Sequence, residues 1–215
     1  MRKLKFTDHA ARAEVTAAIR AVEGETAAEV VVAVRPRAGH YRHTDYLVGF
    51  AFSFAALLVF LFDAHEFEIN WMPVDTLVAF VLGALLSAGF PPLRRALTSR
   101  KLMRRNVAVA ARAAFVELGV AETSGRTGIL VFVSIFERRV EVVPDSGVDM
   151  RALGSPFADA VTALGASVRG GPSLPEFLAA LRSMGPILGR ALPRAADDVN
   201  ELSDEVSSAS DERSA

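Results

Sequence analysis

Tyr46-Leu-Val-Gly-Phe-Ala-Phe-Ser-Phe-Ala-Ala-Leu-Leu-Val-Phe-Leu-Phe62 stands between Asp45 and Asp63 without one formally charged side chain, and a second apolar stretch, Val74 to Leu93, is uncharged from Asp75 to Arg94. The uncharged runs are seventeen residues (46–62) and eighteen residues (76–93). At about 1.5 Å of rise per residue each reaches roughly 26 Å, the short end of what crosses a hydrocarbon core of about 30 Å. Two buried core helices would have similar lengths. These stretches, however, are apolar on every face, and Tyr46 and Trp71 sit at their ends, where interfacial aromatics collect. The reading is a transmembrane helical hairpin over residues 46–93, with the lipid bilayer as its first partner.

Flanking charges give the hairpin a direction. Arg35, Arg37 and Arg42 precede it, and Arg94, Arg95, Arg100, Lys101, Arg104 and Arg105 follow it. The connecting loop carries Asp63, Glu66 and Glu68 and no Lys or Arg. Short loops rich in Lys and Arg stay on the cytoplasmic side, so the expected protein spans the inner (cytoplasmic) membrane twice with both termini cytoplasmic.

The formal net charge of −1 conceals a basic middle, Arg94 to Arg112, and an acidic end, Asp197 to Glu212. Basic residues beside a membrane span serve orientation and anionic headgroups, so no nucleic-acid partner is implied. The chain has no Cys, which removes disulfides, Cys-ligated zinc and thiol nucleophiles and fits a reducing compartment. The start, Met1-Arg-Lys-Leu-Lys5, is followed by Thr7-Asp8-His9 rather than an apolar run, so no cleavable signal peptide is expected.

Outside the hairpin, Val15, Ala18, Ile19 and Val22 recur at helical spacing, predicting an amphipathic helix over Asp8 to Glu23 that Gly24 ends. Glu29-Val-Val-Val-Ala-Val34 is a β-branched run stopped by Arg35-Pro36, the pattern of a strand buried on both faces. One helix and one strand bury too little surface to fold alone, so they must complete their core with residues beyond the hairpin. The expected organisation is one discontinuous α/β domain, 1–45 plus 96–192, interrupted by the hairpin and followed by an acidic, disordered tail, 193–215.

Val107, Ala110, Ala111, Ala114, Phe115 and Leu118 predict a further helix with Gly119 as its left-handed cap. Gly128 to Ser134 and Arg138 to Val143 are two strands parted by three residues, hence an antiparallel hairpin; the first is uniformly apolar and central, the second alternates and lies nearer an edge. Ser155-Pro156 predicts the start of another helix, and Ser173 with Glu176 a capping box for the next, which Gly185-Pro186 interrupts.

The order helix, Glu25-Thr26-x-x-Glu29-Val-Val-Val, Arg112-x-x-x-Phe115, Thr123-x-x-Arg126-x-Gly128-Ile-Leu-Val and Glu137-Arg138-x-Val-Glu-Val-Val-x-Asp145 resembles the TPM domain, the family named after a thylakoid lumen phosphatase-like protein, and its bacterial membrane-anchored members most. Asp198-Val-Asn200-Glu201-Leu202 is similar to the tail of those proteins. The resemblance implies a small mixed β-sheet flanked by helices, and at family level a phosphatase activity. Many relatives carry an Asp-rich opening and a Gly-rich turn after the last strand; here only Asp145-Ser-Gly147 remains of that turn.

Asp145 and Asp149 lie four residues apart past a strand end and are candidate ligands for a divalent cation, calcium or magnesium. The competing structural roles are a turn for Asp145 and a helix N-terminal charge for Asp149. Arg112 and Arg126 are candidates for phosphate, or for pairing with Glu117 and Glu122. With Asp145 they make up the catalytic candidates. His9, His40, His43 and His65 include His40 and His43 close together, but they have no carboxylate at metal-site spacing and read as interfacial side chains. Two functions follow: an interaction or assembly module tethered to the membrane beside another membrane or membrane-associated protein, or a metal-dependent acid phosphatase-like hydrolase of phosphomonoesters.

Overall fold

The computed structural model describes residues 8–64, 67–194 and 200–208; His65, Glu66, Asp197 and Asp198 lie outside them. The chain divides into two compact units, residues 1–38 with 104–215, and residues 39–103.

The first unit is mixed α/β. Helix α1 (His9–Glu23) leads into β1 (Val30–Arg35), which lies parallel to β2 (Ile129–Ser134) in the register Val30 to Ile129 through Arg35 to Ser134. Strand β3 (Arg139–Pro144) returns antiparallel to β2, and β4 (Ser207–Ser208) adds to the other side of β1, giving the order β3-β2-β1-β4. Both central strands are buried, as their uninterrupted apolar runs require, and alternate residues feed two cores. Val30, Val32, Val34, Ile129, Val131 and Val133 face a core completed by α1 and by α6 (Met150–Arg169), α7 (Leu174–Arg182) and α8 (Met184–Ala191). Val31, Ala33, Leu130 and Phe132 face the opposite core, where α5 (Arg100–Glu117) supplies Val107, Ala111 and Ala114. Helices therefore cover both faces of a small mixed sheet.

Gly24 ends α1 as expected, with right-handed backbone, and Gly119, at φ 63°, closes α5; other ends differ. A turn that the sequence did not show precedes Ser155: Asp149 caps it at Met150, Gly154 (φ 59°, ψ −153°) breaks the spiral, and a second helical segment then starts at Ser155-Pro156 as predicted. That backbone region is open almost solely to Gly, which is why one stretch holds both a break and a proline. Ser173 occupies the N-cap of α7 without a side-chain cap bond, so no capping box forms; Phe177 N–H bonds to Ser173 O instead. The interruption comes at Ser183, and Gly185-Pro186 fall in the first turn of α8, where a missing proline donor is harmless.

The tail requires the largest correction. Residues 195–199 and 209–215 lie outside the description, but 200–208 dock on the first unit: Val206 is buried, and Ser207 and Ser208 pair with Ala33 and Val34. Val206 is the one core-forming side chain of the stretch from Ser203 to Ala215, and it holds the segment beside the β1 edge together with the half-buried Leu202 and the polar contacts of Glu201, Asp204 and Ser207.

The second unit is built on α2 (Arg42–Phe62), α3 (Met72–Gly89) and the short α4 (Pro91–Leu97). Helices α2 and α3 run antiparallel, since Asp45 meets Ser87 while Phe50 meets Phe80. The second apolar stretch ends as a helix at Gly89 rather than at Leu93, because Phe90 precedes Pro91 and is forced out of helical backbone (φ −119°, ψ 83°). Asp45 is buried and bidentate to Arg94 (2.8 and 2.7 Å), with the Ser87 hydroxyl donating to it at 2.8 Å.

Candidate functional site

Asp145 follows β3 directly and is buried. Its N–H donates to Gly128 O at 2.8 Å, and its Oδ1 accepts the Ser146 N–H at 2.6 Å. Its Oδ2 stands 3.1 Å from Arg126 Nε without the alignment of a hydrogen bond, so this contact is an ion pair held by charge. Arg126 takes positive φ (54°) in the turn after Thr123, donates from Nη1 to Ala121 O, and through its carbonyl accepts the Gly147 N–H at 2.9 Å. The two turns interlock so closely that a Cβ on Gly147 would fall 2.2 Å from Gly125 O, which is why glycine is needed there.

Of the four candidate residues, two are thus brought together, Asp145 and Arg126. Arg126 pairs with Asp145 and not with Glu122, because the turn geometry aims its side chain at the strand end. Asp149 is the α6 N-cap, accepting from Arg151 N (2.8 Å) and Ala152 N (3.4 Å), and Arg112 is exposed on α5 away from its buried stripe. Among the described residues no group of three His, Asp or Glu side chains is arranged to hold a metal ion. His9, His40 and His43 are exposed.

A second constellation joins motifs that the sequence holds far apart. The buried Glu29, before β1, accepts the Glu201 N–H at 3.3 Å, and the Glu201 carboxylate accepts both the N–H (2.7 Å) and the hydroxyl (2.5 Å) of Ser124. Those two bonds lower the Glu201 carboxyl below the usual range. The Thr26 hydroxyl donates to Leu192 O at 2.8 Å, and Thr127 donates to Ala27 O at 3.1 Å. Beside them Asp204 pairs with Arg20 Nε at 2.7 Å. Arg20, Glu23, Thr26, Glu29, Asn200 and Asp204 line a cavity of about 170 Å³. Glu25-Thr26-x-x-Glu29 and Asn200-Glu201-Leu202 each stood out in the sequence, but nothing in their spacing, 172 positions from Glu29 to Glu201, shows that they meet.

In the second unit, α2 and α3 are both long and apolar enough to cross a membrane. Only 17% and 11% of their apolar windows are buried. Phe50, Phe54, Leu61, Leu77 and Leu85 are each 62–66% exposed.

No known protein family and no curated protein matches the chain. Among solved structures it is similar to the NMR structure of BA42 protein from the psychrophilic bacterium Bizionia argentinensis, with a TM-score of 0.57 and 16% identity over 97% of this chain and 99% of that one. At that identity the likeness concerns the fold alone.

Proposed function

We propose that the chain is a membrane-anchored TPM-domain protein that acts as an interaction or assembly module at the cytoplasmic membrane face, beside another membrane or membrane-associated protein. The observation that carries this reading is the exposure of α2 and α3. A core helix buries its apolar stripe, whereas these two helices present Phe and Leu outward on nearly all sides, a surface far beyond what a soluble monomer leaves in water. Holding the α/β unit at the bilayer raises its local concentration near membrane partners without any new contact.

The hydrolase reading would need a nucleophile or metal-bound water together with charge stabilisation of the phosphoryl group. Asp145 is committed to Arg126 and Ser146, Asp149 to a helix cap, and Arg112 stands on an exposed helix face. Purified protein assayed on phosphomonoesters with and without magnesium or calcium, beside Asp145→Ala, tests the choice. No metal-dependent turnover is expected. A clear metal-dependent rate abolished by Asp145→Ala would make the hydrolase the better reading.

A further inference from the structure

Strand β3 is the outer strand of its sheet, with β2 on one side and no strand on the other. The Asp145 N–H donates to Gly128 O (2.8 Å) one step beyond the Ile129–Pro144 pair, which fixes the alternation of the ladder. Arg139, Glu141 and Val143 turn their backbone groups toward β2, and Val140, Val142 and Pro144 turn theirs away. Pro144, with no N–H to give, falls in the outward set, as an edge proline must. Among the described residues no backbone hydrogen bond outside the ladder engages Val140 or Val142.

The side chains alternate as well. Val140 and Val142 pack toward the core that α1 and α6 share, and Val143 toward the α5-side core, which places Arg139 and Glu141 on the α5-side face, two residues apart. Among the described residues neither of these charges has an ion-pair or hydrogen-bond partner within the chain.

We propose that β3 is a self-association edge, pairing antiparallel with β3 of a second copy of this chain about a two-fold axis at Val140, so that two four-stranded sheets join into one.

The charges select both partner and register. A two-fold pairing through the outward backbone groups can centre on Val140, Glu141 or Val142. Centred on Glu141, it sets that carboxylate directly against its own copy, a destabilising like-charge pair. Centred on Val142, it faces Glu141 with Val143 and leaves a rung without its donor at Pro144. Centred on Val140, it opposes Arg139 to Glu141 of the second copy and Glu141 to Arg139 of the second copy, two equivalent ion pairs, while the two Val140 residues exchange both backbone bonds. Edges that stay single are guarded by charges that repel a neighbour or by bulges. Here the two charges are opposite in sign and cancel across the axis.

The assembly closes at two copies. Arg138, in left-handed backbone (φ 51°), ends β3 on one side and Pro144 ends it on the other, while the far edge of the sheet is the two-residue β4, too short to recruit a third copy. The edge belongs to the α/β unit alone, so the inference does not rest on membrane insertion.

Co-purification of differently tagged full-length copies, expressed together, tests this. Wild-type copies should capture one another. Arg139→Glu and Glu141→Arg should each weaken self-capture by about tenfold, because both ion pairs become repulsions. Copies of the two variants should nevertheless capture each other at the wild-type level, since the mixed pairing restores opposite charges at both positions; that rescue also shows that both are folded. In this Cys-free chain, Arg139→Cys expressed with Glu141→Cys should form a disulfide-linked mixed dimer on oxidation, the Cβ atoms lying about 5 Å apart, and neither should form one alone. Unchanged self-capture by the charge-reversed copies, no rescue between them, a wild-type chain that captures no copy of itself, or efficient self-linking of Glu141→Cys would overturn the proposal.

Discussion

Gly83 faces Phe52 so closely that a Cβ there would lie 2.8 Å from its Cγ and 3.0 Å from Val48 O, whereas at Gly89, the last residue of α3, nothing lies within 4 Å. Gly83→Ala should therefore cost about 1–3 kcal/mol as α2 and α3 are pushed apart, and Gly89→Ala should be neutral or stabilise by up to about 1 kcal/mol. Unfolding of the two detergent-solubilised variants beside the wild type checks the order, and equal effects would mean that the helices are not packed through Gly83. At this scale the sequence was legible where a residue acts locally. Asp149 as a helix charge and Asp145 as a turn former are both competing roles weighed from the sequence alone, and both are what the two side chains do. The Arg126–Asp145 pair was not legible, because it depends on the left-handed backbone of a non-glycine residue, for which the sequence carries no signal. Glu29 with Glu201 was hidden for a different reason: the segment that brings them together reads as a polar tail.

Among the elements, β1 is the test of the shared core. Val32 is fully buried and pairs with Val131, so the strand from before the hairpin and the strand from after it complete one sheet. Val32→Asp would bury an unpaired charge, costing at least several kcal/mol against a domain stability of roughly 5–15 kcal/mol. Limited proteolysis after α5 should then become fast throughout 129–192; cleavage unchanged there would mean that β1 is dispensable. The two central strands could be read from their β-branched runs, and the outer position of β3 from its alternating charges, because each pattern is fixed by how many faces are buried. Helix ends were less legible. The Ser155-Pro156 signal does start the longer segment of α6, but the short turn ahead of Gly154 and the stop at Ser183 rather than at Gly185-Pro186 carry no comparable local signal.

For the molecule as a whole, the account rests on a contrast between the units. In the first, apolar side chains point into two cores on either face of a sheet; in the second, they point outward. Composition alone can suggest this, since seventeen uncharged residues on every face of a helix leave no polar side for water. It cannot supply the internal packing of that unit, the Asp45–Arg94 pair with Ser87, nor the start of α2 at Arg42, several residues before the uncharged run. The direction of insertion, inferred from nine flanking Arg and Lys residues against none in the loop, is the central claim and has a direct measurement. Because the chain has no Cys, single cysteines can be placed at the exposed positions Glu68, in the loop, and Asp159, on α6, and treated with an impermeant maleimide on intact cells and after lysis. The account predicts labelling of the Glu68→Cys protein on intact cells and of the Asp159→Cys protein only after lysis; labelling of Asp159→Cys with protection of Glu68→Cys would reverse the orientation, and protection of both before lysis with recovery of the protein in the soluble fraction would contradict membrane insertion altogether.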